Sequence, residues 1–361
     1  MIKFYDIYKQ DKNLHSSILK KIRTIFKKGD YILGNDVKVF ENNFSKFCNS
    51  KFSVGCANGT DALTIALKAL KLKNNSEVII PAMTYCSTAF SIINANLKPV
   101  LVDIDYMKPT ICINQIKKKI NSKTKVIMPV HLYGSVVNIK KIRSIIGKRK
   151  IHIIDDCAQA HGAKSDNGIK VGSLSDISTF SLYPGKNLGA YGDAGIITTN
   201  NKKYYQIIRK LRNLGSEKKF KHDVVGMNSR LDSLQAIILN QKLKKLQKLN
   251  FKRKKIASDY DKKIINKKIS KLNYSKFSVY HQYVILVNKR KEFIKYLEDA
   301  NIQYGFHYPY AIHQLNAFKK YFKKERFPNS EMLSKYGISI PIDPNLKKSE
   351  ISYIINKLNK Y

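Results

Sequence analysis

Long apolar runs are missing from this chain. No stretch approaches the roughly 18 uninterrupted apolar residues that a membrane-spanning helix needs, and the opening residues MIKFYDIYKQDK lack the apolar core of a secretory signal. A cytoplasmic protein with no membrane partner is the expectation. Cysteine is sparse and unpatterned: Cys48, Cys56, Cys86, Cys112 and Cys157 are odd in number and nowhere spaced C-x-x-C. That excludes a disulfide framework and a zinc knuckle and predicts reduced, buried thiols. Acidic residues are also few, 26 against 67 basic ones, for a net charge of +41. Such a balance raises a nucleic-acid-binding module as one reading. The scarcity of arginine opposes it, because only nine of the basic residues are arginine and base and phosphate readers favour the bidentate guanidinium fork. The lysines sit at solvent-facing helical spacing, as in IKKIRSIIGKRK, and no RRM, KH or zinc-finger pattern is present. Nucleic acid stays a remote alternative, and the charge is read as solubility with a possible pull on an anionic substrate.

What is present is ordinary for a folded protein. The chain has 361 residues, 43% of them apolar and 26% charged, enough for about two domains at roughly 150 residues each. A helix is expected from Leu14 to Phe26 and another from about Val37. Strand-like runs follow at Phe52 to Cys56, Glu77 to Pro81, Pro99 to Asp103, Lys125 to His131, Ile151 to Asp155, Ser178 to Ser181 and Gly195 to Thr199, mostly separated by helical patterns. This alternation predicts an α/β fold with a mainly parallel sheet covered by helices on both faces. A long helical stretch from Leu231 to Lys262 leads to a strand at His281 to Val287, a helix at Lys291 to Asn301 and a last helix from Ser349. A large domain over residues 1–240 and a smaller C-terminal one over 241–361 are expected.

In such sheets ligands sit beyond the carboxyl ends of the strands, and three segments there carry chemistry. In VGCANGTDALTIALKAL a strand ends at Cys56 and a helix begins near Asp61. Gly59 allows close backbone approach, the Thr60 hydroxyl can donate, and first-turn amides make an anion site; the competing reading is a plain turn capped by Thr60 or Asp61. In IHIIDDCAQAHGA a buried strand runs into Asp155 and Asp156, with Gln159 and His161 behind them. One acid there suits a protonated heterocyclic nitrogen, while His161 with Asp156 would be two ligands of a metal site. In STFSLYPGKNLGAYGDAG a lysine, Lys186, stands in a loop dense with Gly185, Gly189, Gly192 and Gly195. Glycines permit positive φ and close approach, so this lysine is expected to turn inward, where burial lowers its pKa toward nucleophilic use. The segment is not a P-loop, since Phe180 stands at the first glycine position and Asn187 follows the lysine. A phosphate cradle, an acid at a strand end and an enclosed lysine are together the three contacts that pyridoxal 5'-phosphate (PLP) requires.

The motifs NGTDAL, PAMTYCSTA, PVHLYG, DDCAQAHGA, FSLYPGKNLGAYGDAG and GMNSRLDSLQA resemble, in order and spacing, those of the DegT/DnrJ/EryC1/StrS nucleotide-sugar aminotransferases, over nearly the whole chain. The resemblance implies an aspartate aminotransferase-like fold (PLP fold type I). It implies that Lys186 is the Schiff-base lysine, that Asp156 pairs with the pyridine nitrogen, that Gln159 contacts the O3′ side of the ring, and that Gly59, Thr60, Asp61 and Ser181 form the phosphate shell. Tyr85 matches the aromatic that stacks on the ring. Asn228 matches an asparagine reaching the cofactor phosphate from the partner subunit, which implies a homodimer with shared sites. His131, Tyr183, Tyr308 and His313 resemble substrate-side positions. A branch of the family that dehydrates its substrate has histidine in place of the lysine, so Lys186 favours transamination. Within the aminotransferases the chain looks most like those aminating C-3 of a dTDP-3-keto-6-deoxyhexose with L-glutamate as donor, for a surface glycan; amination at C-4 is the alternative. No metal is expected.

Overall fold

The computed structural model describes residues 1–218, 220–322 and 324–361. Seven short strands form the central sheet: β1 (Phe52–Cys56), β2 (Glu77–Pro81), β3 (Lys98–Val102), β4 (Thr124–Ile127), β5 (His152–Asp156), β6 (Ile177–Ser181) and β7 (Gly195–Thr199). Their spatial order is β1-β7-β6-β5-β4-β2-β3. β7 runs against both β1 and β6, and the remaining pairs are parallel. The six strands other than β7 therefore bring their carboxyl ends to one edge.

Side chains alternate across a pleated strand, so a sheet covered on both faces must be apolar at successive positions. In β2, Val78 and Ile80 join an apolar cluster with helices Gly59–Ala69 and Cys86–Asn94. Ile79 between them faces the opposite cluster, under Ile113–Lys119 and Ile139–Ile146. A third cluster packs Phe40 and Phe44 of helix Asn35–Cys48, and Ala236 and Leu239 of helix Ser233–Leu243, against Phe180 and Ile196. The parallel α/β reading of the sequence is thus what the chain forms.

Two expected elements differ. The strand expected at Lys125 to His131 stops at Ile127; Pro129 has no N–H to give the ladder, and only a bridge from Val130 to Asp156 continues the pairing. The helical stretch expected from Leu231 to Lys262 is two helices, Ser233–Leu243 and Leu246–Lys263, the break falling at Lys244 and Lys245.

After β7, β8 (Ser216–Lys218) and β9 (Lys221–His222) pair antiparallel. A second antiparallel sheet contains β10 (Ile269–Lys271), β11 (Tyr283–Val287) and β12 (Gly337–Ile340). Its own apolar cluster takes Ile256 and Tyr260, Phe293 and Leu297, and Ile354 and Leu358 from the helices around it. The first residues of the chain join this cluster: Ile2 packs there and bridges to Ile302. Among the described residues no helix is long and apolar enough to cross a membrane.

Candidate active site

The carboxyl edge of the six co-directional strands opens into a cavity of about 740 Å³. One end of it is the turn after β1. Helix Gly59–Ala69 starts two residues earlier than its apolar pattern suggests, because its cap is Asn58 rather than Thr60 or Asp61. Asn58 is extended, and its side chain accepts the Asp61 N–H at 2.8 Å; asparagine is among the strongest caps. Gly59, Thr60 and Asp61 all line the cavity, and the Thr60 hydroxyl donates to Ser87 Oγ at 2.7 Å. A Cβ on Gly59 would lie 2.6 Å from Cβ of Ser181. Only glycine lets this helix start close against the end of β6, where first-turn amides have no helical acceptor.

Asp156 ends β5 with its carboxylate turned into the cavity. Thr88 donates to one oxygen at 2.9 Å and the Ala158 N–H to the other at 3.1 Å. Burial raises the Asp156 pKa, and these two donors, with Lys186 and His131, work against that rise. Lys186 stands on the same wall; its amide donates to Tyr183 O at 2.9 Å, closing a tight turn. Withdrawal from bulk water lowers its amine to about 8, with Asp156 partly offsetting the shift. Gly189 and Gly195 act by close approach, whereas a Cβ on Gly185 would meet only ordinary contacts at 3.8 Å. None of Gly185, Gly189, Gly192 and Gly195 has positive φ, but a Cβ on Gly189 would sit 2.3 Å from Pro184 O, and one on Gly195 would sit 2.3 Å from Asn58 O.

Tyr85, Gln159, Ser181, Tyr183 and Tyr308 also line the cavity. The rings of Tyr85 and Tyr308 are 5.4 Å apart. Gln159 is held at both ends, donating to Tyr308 Oη at 2.7 Å and accepting the Tyr133 N–H at 2.6 Å. Several lining residues escaped sequence reading: Tyr5, Thr84, Ser87, Thr88, His281, Gln282 and His307. Thr84 lies in the turn after β2, and Ser87 and Thr88 in the first turn of the helix that follows it, so inspection of every polar residue between a strand and the first turn of the next helix would have found them. No local signal marks Tyr5, His281, Gln282 or His307, which come from the first residues of the chain and from around the second sheet. Burial and the neighbouring Lys186 lower His307 to about 4.

Four sequence candidates, His131, His161, His313 and Asn228, lie outside the lining of this cavity. His131 is fully buried; its Nδ1 accepts the Val137 N–H at 3.0 Å and its Nε2 faces Asp155 at 3.4 Å. Adjacent residues on a strand point to opposite faces, so the side chains of Asp155 and its neighbour His131 lie on the face away from the cavity, opposite the Asp156 carboxylate. His131, Asp155 and Cys157 bring potential ligand atoms within 4.8 Å of one another, yet an Nδ1 that accepts an amide leaves the proton on Nε2, the nitrogen a metal would need. His161, weighed above as a ligand beside Asp156, instead hydrogen-bonds Ser181 O through Nε2 at 2.9 Å. His313 bonds Glu331 at 3.1 Å in a separate surface hollow. Asn228 is exposed and bridges to Asn213.

The cavity therefore joins a helix start cleared by Gly59, a buried carboxylate at Asp156 and a lysine of lowered pKa. This set fits PLP, with its anionic phosphate, basic ring nitrogen and aldehyde carbon.

Comparison with known proteins agrees. Residues 12–359 match the model of the DegT/DnrJ/EryC1/StrS aminotransferase family. A dTDP-3-amino-3,6-dideoxy-alpha-D-galactopyranose transaminase of Aneurinibacillus thermoaerophilus is 40% identical, over 100% of this chain and 99% of its own. The crystal structure of Streptomyces venezuelae DesV in complex with a ketimine intermediate superposes with a TM-score of 0.97 at 30% identity, covering 99% of this chain and 98% of that one. The Bacillus subtilis NtdA structure with bound cofactor PMP gives a TM-score of 0.92 at 26% identity, over 99% and 84%. By sequence, by fold and by the match of the cavity to PLP, the chain belongs to the DegT/DnrJ/EryC1/StrS aminotransferase family and is a PLP-dependent sugar aminotransferase.

Proposed function

We propose that the protein transfers an amino group from L-glutamate to the C-3 keto group of a dTDP-linked 3-keto-6-deoxyhexose, giving a 3-amino-3,6-dideoxyhexose for a surface glycan. The observation that carries this reading is the meeting of Lys186, Asp156 and the Gly59 helix start in one cavity, in a chain 40% identical to a transaminase named for a dTDP-3-amino sugar.

Bound PLP supplies an electron sink for the charge that develops when the donor loses its Cα proton. The residues do the rest. The first-turn amides at Gly59 and Thr60, with Ser181, hold the phosphate end. Tyr85 covers the ring, and Gln159 faces its O3′ side. Asp156 keeps the ring nitrogen protonated, and Thr88 holds the carboxylate at that angle through its 2.9 Å hydrogen bond. Lys186 Nζ takes the proton from Cα of the donor. In the second half-reaction it delivers one to the sugar carbon that receives the amine. Tyr183 and Tyr308 contact the sugar.

The active unit in this reading is a homodimer in which Asn228 reaches the partner's cofactor phosphate, and the enzyme works in the cytoplasm. In this reading residues 1–240 form a cofactor-holding unit and 241–361 a smaller one; the second sheet has an apolar cluster of its own, which also takes Ile2, while Ile312, Phe318, Phe322 and Phe327 pack into the cluster of the first.

The test is incubation of holoenzyme and L-glutamate with separately prepared 3-keto and 4-keto dTDP sugars, locating the new amine by NMR. Amine at C-3 is expected; amine formed only at C-4 assigns the enzyme to the other position.

A further inference from the structure

Gln282 lies on the cavity wall, 1% exposed, and among the described residues its Oε1 has no hydrogen-bond partner. Carboxamide orientation is settled by the surrounding network, and here the network starts from two backbone carbonyls, which can only accept. Asn250 donates through Nδ2 to His161 O at 2.8 Å, so its Oδ1 is the atom that accepts from Asn187 Nδ2 at 2.9 Å. Asn187 Nδ2 also donates to Val279 O at 3.1 Å. Asn187 Oδ1 is left to accept, and it faces His281 Nδ1 at 3.1 Å. His281 is buried, and burial, reinforced by Lys186, pushes its pKa well below the ordinary value. It is therefore neutral, with its proton on Nδ1 and a lone pair on Nε2. Gln282 Nε2 lies 3.5 Å from that lone pair and donates to the Tyr5 hydroxyl. The reverse orientation would set an oxygen against the lone pair. The chain of polarity thus runs from the His161 and Val279 carbonyls through Asn187 and His281 and ends on a carbonyl oxygen that is buried in the cavity wall and, among the described residues, unpaired. A buried acceptor without a donor destabilises the site, and a ligand hydroxyl placed there would recover that loss.

We propose that Gln282 is a specificity-determining residue whose Oε1 accepts a hydrogen bond from a hydroxyl of the sugar, with Asn187 and His281 as positioning residues that fix its orientation. Tyr5 accepts a hydrogen bond from the carboxamide nitrogen and brings the start of the chain to the site. The proposal rests on the reading that the cavity takes a nucleotide-linked sugar.

The experiment compares wild type with Gln282→Met, both loaded with PLP and checked by cofactor absorbance and circular dichroism. Calorimetry measures the Kd of dTDP and of a dTDP-6-deoxyhexose with a hydroxyl at C-3, which cannot react; steady-state kinetics measures KM for L-glutamate. The expected result is a roughly tenfold or greater loss of affinity for the dTDP sugar, with dTDP affinity and glutamate KM unchanged. Equal loss for dTDP and the sugar would reveal a packing role, and a raised glutamate KM with sugar affinity intact would assign Oε1 to the donor's ammonium; either overturns the proposal, as does no change at all. Wild type that binds neither ligand defeats the nucleotide-sugar reading itself. Should Gln282→Met fail to hold PLP, Gln282→Asn keeps a neutral carboxamide but draws its oxygen back by one methylene, and the same selective loss of sugar affinity is expected with dTDP affinity unchanged; sugar affinity within about threefold of wild type overturns the proposal.

Discussion

Burial pushes Asp156 and Lys186 each toward its uncharged form, and each partly restrains the other. Asp156→Asn keeps the shape and the Thr88 contact but removes the charge that holds a ring nitrogen protonated. Turnover is expected to fall by about 10²- to 10³-fold with the circular dichroism spectrum unchanged; near-normal turnover would refute the role. The lysine predicts a pH dependence in the apoprotein. Only a neutral amine adds to an aldehyde, so the neutral fraction grows nearly tenfold per pH unit below a pKa of about 8 and levels off above it. The rate of PLP capture, followed by stopped-flow absorbance, should climb and then flatten near that pH. A rate still climbing at pH 10 would mean an unshifted lysine.

Among the elements, helix Gly59–Ala69 is the one whose start decides the site. In Gly59→Ala the new Cβ would meet Ser181 Cβ at 2.6 Å and its Cα at 3.1 Å. The helix must back away from β6, at a cost of about 1–3 kcal/mol, and PLP retention in equilibrium dialysis should fall. Asn58→Ala removes the cap on Asp61 N–H and should lower stability by about 1 kcal/mol, read as a drop in Tm. Stability equal to wild type in both variants would place the strain elsewhere. Strand positions were legible because β1, β2 and β7 are short apolar runs bounded by turns. The cap was not, since NGTD offers several capping side chains in succession and only backbone geometry chooses among them.

For the whole molecule, the proposed shared-site dimer makes a prediction that no single chain can satisfy. Asn228 is exposed, and its neighbour Ser229 accepts the Ala57 N–H at 3.2 Å, so the segment carrying Asn228 is anchored to the turn of its own site. Asn228→Ala should weaken PLP retention. Mixing inactive Lys186→Ala with impaired Asn228→Ala subunits should form heterodimers with one intact site and one doubly defective site. Recovered activity after subunit exchange is the expected outcome. A fully active monomer, or exchange without recovery, would eliminate the shared site.

Local chemistry determined a large part of this protein from sequence alone. Alternating strands and helices dictated the parallel sheet, strand ends marked where a ligand lies, and Gly59, Asp156 and Lys186 declared their chemistry through residue type and position. The tertiary structure decided what depends on direction and on distant contacts. His131 follows a strand as Asp156 ends one, yet its side chain lies against Asp155 on the far side of the strand from the cavity, because neighbouring strand positions point opposite ways. Tyr5, Gln282 and His307 reach the cavity from opposite ends of the chain, and the free oxygen of Gln282 depends on a hydrogen-bond network through Asn187, Asn250 and His281. No run of neighbouring residues encodes that network, since its polarity is set by backbone carbonyls that only folding brings within reach.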